Sequence, residues 1–167
     1  MRAPRPLQQG HVMQIESKNT HMTLDFFRSA YRSKAGWEIG RPQKAFVEHF
    51  RNREPPAPIL DVGCGSGDLA IYLAALGKEV LGVDYVDDAI AMAREKAARA
   101  GVDVEFRVED AFALAQPGRR FGSVVDSGFF HTLDDSSRRD FLQVLNALLL
   151  PNGRYYMLSN DLNPIDG

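Results

Sequence analysis

Among its 167 residues the chain has a single cysteine, Cys64, so no intramolecular disulfide can form and a disulfide-stapled secreted scaffold is excluded. It lacks an excess of charge of either sign: 20 lysines and arginines face 22 aspartates and glutamates, for a formal net charge of −2. No global field therefore favours nucleic acid or an anionic membrane, and the expected partner is a small molecule. Long apolar runs are missing as well; none approaches the ~18 residues that a membrane span needs. The opening MRAPRPLQQGHV has two arginines but no apolar segment of signal-peptide length, which predicts a cytoplasmic protein. What remains, 44% hydrophobic and 25% charged residues, suffices for one soluble domain with its own core.

Residues 1–20 are polar, rich in Pro and Gln and without periodicity, and are expected to form a disordered leader. Thr23 is placed to cap a short helix carrying Leu24, Phe26, Phe27, Ala30 and Tyr31. After the turn-rich stretch 36–42, a second helix is expected to start at Pro42 and to present Ala45, Phe46, His49 and Phe50. From residue 59 onward, strand and helix patterns alternate. Strands are expected at Ile59–Val62, Glu79–Asp84, Asp103–Val108, Phe121–Ser127 and Arg154–Ser159. Between them lie a helix with Leu69, Tyr72, Leu73 and Leu76 on one face, and one capped by Asp87 with Ile90, Ala93, Ala97 and Ala100 inward. A third, opened by Asp134 or Asp135, buries Phe141, Leu145, Leu148 and Leu149, and Pro151-Asn152-Gly153 forms the turn after it. Such alternation implies an α/β three-layer sandwich: a mainly parallel sheet with helices on both faces, and all strand C-termini along one edge.

That edge carries the chemistry. Asp61-Val62-Gly63-Cys64-Gly65-Ser66-Gly67 follows the first strand and runs directly into a helix, and its glycines let backbone turn sharply and approach a ligand. The spacing is G-x-G-x-G, not the G-x-G-x-x-G that cradles a dinucleotide pyrophosphate. A carboxylate at Asp61 would repel a pyrophosphate but can help hold an ammonium group. Asp84, at the end of the second strand, can accept hydrogen bonds from both hydroxyls of a ribose. Asp110, just past the third strand, can accept from an adenine amino group while the Ala111 amide reaches a ring nitrogen. A nicotinamide-dependent oxidoreductase is disfavoured by the loop spacing.

In order along the chain, ILDVGCGSGDLA (59–70), VLGVDYVDDAI (80–90), VEDAF (108–112), VVDSGFFHTL (124–133) and LLPNGRYYML (149–158) resemble the five motifs of the class I, Rossmann-like S-adenosylmethionine-dependent methyltransferases. The resemblance covers residues from about 35 to about 160, departing at Gly122, where the family often has aspartate. It implies a strand order of 3-2-1-4-5 and cofactor contact by Asp61, Gly63, Cys64, Gly65, Gly67, Asp84, Tyr85, Asp110, Ala111 and Ser127. GWEIGRPQ (36–43) resembles the segment that closes over the cofactor in thiopurine and thiol methyltransferases, within an N-terminal helical lid (21–52). Tyr31, Trp37, Arg41 and Phe130 are thereby assigned to the lid or acceptor side, and the aromatic residues can equally be plain core. His131 can be a packed histidine or the base that deprotonates an acceptor. Cys64 has no base nearby and is read as a small loop-filling residue rather than a nucleophile.

The implied reaction is transfer of a methyl group to a small acceptor, possibly a thiol, by in-line displacement, without a metal. The alternative is a cofactor-binding module without turnover, because only residues 161–167 follow where the family usually continues into an antiparallel strand pair. The fifth strand is then expected to expose an apolar edge at Tyr155–Leu158, open to pairing with a second copy.

Overall fold

Five runs of apolar and β-branched residues become the five strands of one sheet: β1 (Ile59–Val62), β2 (Val80–Asp84), β3 (Glu105–Val108), β4 (Phe121–Ser127) and β5 (Leu149–Leu158). The computed structural model describes residues 23–33 and 35–158; the expected leader and the 161–167 tail lie outside them. All four strand pairings are parallel and the order is β3-β2-β1-β4-β5. Every residue of β1 and β2 is buried, which is why both read as continuous apolar runs. Alternate residues feed opposite faces: Ile59 and Val125 join one core cluster, Leu60, Val62 and Val124 the other.

The first cluster is covered by α2 (Lys44–Phe50), α3 (Asp68–Ala75) and α4 (Asp87–Ala100), through Phe46, Phe50, Leu69, Leu73, Ile90 and Ala93. The second is covered by α5 (Asp135–Leu148) through Phe141, Leu145 and Leu148, with Ala111 from a one-turn 3-10 helix at Ala111–Ala113 and Leu114 directly after it. Each of the Phe, Leu and Ile side chains among these contributes ~1.5–3 kcal/mol on burial. Helix α1 (Leu24–Arg32) sits away from the sheet: Tyr31 packs on Val86 and Ala89, and Arg28 and Arg32 pair with Asp87 and Asp88 at the start of α4. The chain steps outward from β1 to β3, then returns to β4 on the other side of β1. Successive right-handed crossovers therefore change face, and the switch point, where sheets of this topology form their binding crevice, lies beyond the C-terminal ends of β1 and β4. No described helix is long and apolar enough to cross a membrane.

Four local expectations are corrected. Helix α2 begins at Lys44, not Pro42, because Gln43 stays extended (φ −61°, ψ 135°) and the fixed φ of proline suits extended backbone as well as helix. Asp87 is the first residue of α4 rather than its cap: Val86 holds the cap position, and the Asp87 carboxylate is drawn to Arg28. Pro151-Asn152-Gly153 is no separate turn, since β5 already starts at Leu149 and absorbs these residues as an irregularity opposite Phe121–Ser123, with Asn152 at φ 64°. Leu149 therefore opens β5 instead of lying on the inner face of α5.

Candidate functional site

The crevice is shaped by backbone first. Gly63, Gly65 and Gly67 have φ of 62°, 54° and 82°, a region that favours glycine, and together they turn the chain from β1 into α3. Different neighbours press on each. A Cβ on Gly63 would lie 2.8 Å from the Cβ of Phe129 in the loop after β4; one on Gly65 would lie 2.6 Å from the Tyr31 hydroxyl; one on Gly67 would lie 2.7 Å from Phe106 Cζ. The first two glycines thus admit the β4 loop and the N-terminal segment to the crevice, and the third allows close packing of α3 on the sheet.

Three carboxylates are buried at the C-terminal ends of adjacent strands: Asp61 on β1, Asp84 on β2 and Asp126 on β4. Asp84 organises the loops beside it. Its Oδ2 accepts the Gly65 N–H and its Oδ1 the Val86 N–H, both at 2.9 Å, and each oxygen keeps a further lone pair for a ligand. Asp61 Oδ2 is buried with no hydrogen-bond partner among the described residues. Burial, then the nearby Asp126 charge, push the Asp61 carboxyl well above the usual carboxylate range, and burial also raises Asp84 and Asp126. An unpartnered buried acceptor among like charges suits a bound cation with N–H donors.

The remaining sequence candidates fall into two groups around this centre. On one side, Trp37 is 43% exposed and its Nε1 donates at 3.2 Å to the Tyr31 hydroxyl, which itself reaches the loop at Gly65. Phe27 continues the aromatic surface, with its ring centroid 5.8 Å from that of Trp37 and 5.9 Å from that of Tyr85. Tyr85 is partly exposed directly after Asp84, and burial followed by the Asp84 charge push its hydroxyl up to about 12. Arg41 is exposed. On the other side, exposed His131 lies on the one-turn 3-10 helix Phe130–Thr132, and half-buried Phe130 carries the Arg138 guanidinium 5.5 Å above its ring. Ser127 ends β4 exposed. Trp37 and His131 therefore belong to segments that meet the loop at different glycines.

Exposed Asp110 accepts the Phe112 N–H at 2.9 Å, capping the short helix in which Ala111 is buried. The Cys64 N–H donates to Val83 O at 2.9 Å, and burial, then the Asp61 charge, push its thiol well above its usual value, which disfavours the thiolate a nucleophile needs.

Sequence reasoning missed Asp126. It accepts the N–H groups of Gly128, Phe129 and Phe130 at 2.9, 2.6 and 2.9 Å and the Tyr155 hydroxyl at 2.6 Å, so one buried carboxylate shapes the loop that carries His131. The available signal was an aspartate closing an apolar strand two residues before a glycine, which is Asx-turn chemistry. Asp126→Ala leaves four donors unpaired and is expected to destabilise the chain by about 2–4 kcal/mol in urea unfolding, and Tyr155→Phe by about 1 kcal/mol. The reverse ranking would show that the carboxylate is not what holds this loop. Glu38, Ser66, Asp68 and Lys96, which meet beside the glycine loop, were also missed, because no local pattern links them.

Comparison with known proteins agrees with this geometry. A family described as a methyltransferase domain matches residues 59–153. The chain is 32% identical over 151 residues to the 2-heptyl-1-hydroxyquinolin-4(1H)-one methyltransferase of Mycobacteroides abscessus, covering 85% of this chain and 66% of the relative. It is 38% identical over 105 residues to the demethylmenaquinone methyltransferase of Thermus thermophilus, covering 62% of this chain and 47% of the relative. A solved structure described under "Conversion of a Disulfide Bond into a Thioacetal Group during Echinomycin Biosynthesis" superposes with a TM-score of 0.75 at 33% identity, over 80% of this chain and 57% of that one. The chain thus spans between about half and two thirds of the length of these proteins. The family match begins at β1 and takes in the glycine loop, all three buried carboxylates and the first half of β5, and this chain belongs to the methyltransferase domain family.

Proposed function

We propose that this chain binds S-adenosylmethionine in the crevice above β1 and β4 and directs its methyl group to a small-molecule acceptor. The observation that carries the reading is the trio of buried carboxylates around the glycine loop, one with an unpartnered oxygen. The donor set fits a cofactor that combines an ammonium group, a sulfonium and a ribose diol. Asp61 would face the ammonium, Asp84 the ribose hydroxyls, and Asp110 with the Ala111 amide the adenine, while Gly63, Cys64, Gly65, Gly67, Tyr85 and Ser127 line the remainder. When bound, the cofactor supplies an activated methyl group together with its own leaving group, so the protein's work is alignment and exclusion of water. Tyr31, Trp37 and Phe130 supply aromatic faces, which stabilise a sulfonium by ~0.5–2 kcal/mol. His131, exposed on the 3-10 helix after β4, would take the acceptor's proton.

For the acceptor we propose a small apolar molecule with an ionisable –SH or –OH group. The expectation of a thiol and the hydroxyquinolinone named for the M. abscessus relative both fall in this class. The test is calorimetric titration with S-adenosylhomocysteine and, separately, NADH, followed by transfer of labelled methyl to a panel of thiols and hydroxyquinolones. Binding of S-adenosylhomocysteine alone is expected, with transfer to at least one acceptor and loss of transfer, more than of binding, in Trp37→Ala and His131→Ala. Binding with no transfer to any acceptor would favour a module without turnover.

Self-association through β5 belongs to the same reading. Among the described residues β5 pairs only with β4, and Met157 stands exposed on it. Light scattering is expected to show mass rising with concentration, with slow exchange of the Tyr155–Leu158 amides. A monomer at high concentration with freely exchanging amides would remove this contact.

A further inference from the structure

One charged cluster has no part in the function proposed so far. Lys96, in the later half of α4, directs its Nζ to Asp68 Oδ1 at 2.9 Å, to Glu38 Oε2 at 3.3 Å and to Ser66 Oγ, while the Ser66 hydroxyl donates to Glu38 Oε2. The ionised side chains are well covered: Lys96 is 22% exposed, Glu38 12% and Asp68 20%. These residues come from the segment before α2, the glycine loop, the first turn of α3 and α4, so the cluster joins four parts of the chain at one point. Glu38 Oε1 also lies 3.5 Å from where a Gly65 Cβ would be, and the Glu38 N–H closes a turn on Ala35 O at 2.9 Å. The 35–38 turn, with Trp37 on it, is thus docked on the glycine loop through Glu38.

Electrostatics decides what holds it there. Glu38 and Asp68 share one ammonium, so the cluster keeps a net negative charge, and Asp84 is close enough that Glu38 repulsion adds to its burial in raising its carboxyl. Without the ammonium, Glu38 would face two like charges in a poorly hydrated place. We propose that Lys96 is the positioning residue of a latch: by neutralising Glu38 it keeps the 35–38 turn closed on the glycine loop and the cofactor crevice preorganised. The consequence for the cofactor rests on the function proposed above; the latch itself does not.

Trp37 is the only tryptophan in the chain, so its fluorescence reports on the turn alone. In the unliganded full chain, Lys96→Met is expected to increase acrylamide quenching of Trp37, and adding Glu38→Gln to that variant is expected to reverse the increase, since an uncharged side chain is no longer repelled. A merely structural lysine would give no such rescue. Lys96→Met is also expected to weaken S-adenosylhomocysteine binding about tenfold, the equivalent of one charge-assisted hydrogen bond. Glu38→Lys, which sets like charge against Lys96 without touching α4, is a second route to an open turn if Lys96→Met does not fold. Quenching at the wild-type level in Lys96→Met or in Glu38→Lys overturns the latch, as does an increase that Glu38→Gln fails to reverse. If the Trp37 responses hold but the wild-type chain binds no S-adenosylhomocysteine, the latch stands and the cofactor assignment falls.

Discussion

Asp84→Ala is expected to weaken S-adenosylhomocysteine binding at least a hundredfold, because in the proposed site it would remove two charge-assisted hydrogen bonds to the ribose, each worth ~1.5–3 kcal/mol. The structure adds a reason that ribose chemistry alone does not contain: the same carboxylate holds the Gly65 and Val86 amides, so its loss also frees the loop that lines the crevice. Stability is expected to change less than binding, since burying a carboxylate is itself unfavourable and offsets the two lost amide bonds. Calorimetry on the variant decides the point; an unchanged dissociation constant would remove Asp84 from the ribose site. Protonation gives an independent check. Burial raises the folded-state value of Asp84 above its unfolded value near ~4, so the unliganded fold holds this proton more tightly than the unfolded chain does. For this group, stability is present below ~4 and is lost as pH rises through the raised value. A ligand that needs the carboxylate form drives the proton off, so affinity is expected to rise with pH over that window. Titrations at pH values just above the unfolded value, in two buffers of different ionisation enthalpy, are expected to show proton release on binding. Proton uptake would contradict the assignment.

Gly67→Ala is the substitution expected to damage the fold most for the smallest change in chemistry. At φ 82° a side chain is strained, and the added Cβ would lie 2.7 Å from Phe106 Cζ and 2.9 Å from Ala93 Cβ, both within the core between α4 and β3. Strain of ~1–2 kcal/mol and overpacking of ~1–3 kcal/mol act together, for a total of about 2–5 kcal/mol. In a chain of this size that is a fall in Tm of roughly 5–20 °C. Gly77→Ala is the control, since Gly77 has φ 77° but nothing within 4 Å of the added atom. It is expected to show the strain alone, about 1–2 kcal/mol. Equal losses at the two positions in thermal unfolding would mean that the close approach of Phe106 is relieved at no cost and does not explain the glycine.

Much of the architecture follows from local pattern. The buried strands are legible because residues covered on both faces must be apolar along their whole length, and the Thr23 and Asp134 caps because a side-chain oxygen beside a helix start meets an amide only a few residues away. The glycine loop is legible for a similar reason: a sharp strand-to-helix turn with positive φ leaves few alternatives to glycine. Where the helix starts depend on partners elsewhere, local reading misplaces them, as with Asp87, which turns to Arg28 on another helix instead of capping its own.

Sequence by itself therefore determined the parallel α/β arrangement, the glycine loop, and Asp61 and Asp84 at the strand ends, because these depend on periodicity, burial and turn chemistry within one element. Only the tertiary structure decided what those acids and glycines touch. Glu38 meets Ser66 across 28 residues and Lys96 across 58, and Tyr155 reaches Asp126 across 29. These contacts stabilise ionised groups in places with little water, where each charge needs a partner whatever its distance along the chain. No repeat or spacing encodes such a pairing; it exists once the sheet has ordered its strands and brought the loops to one edge.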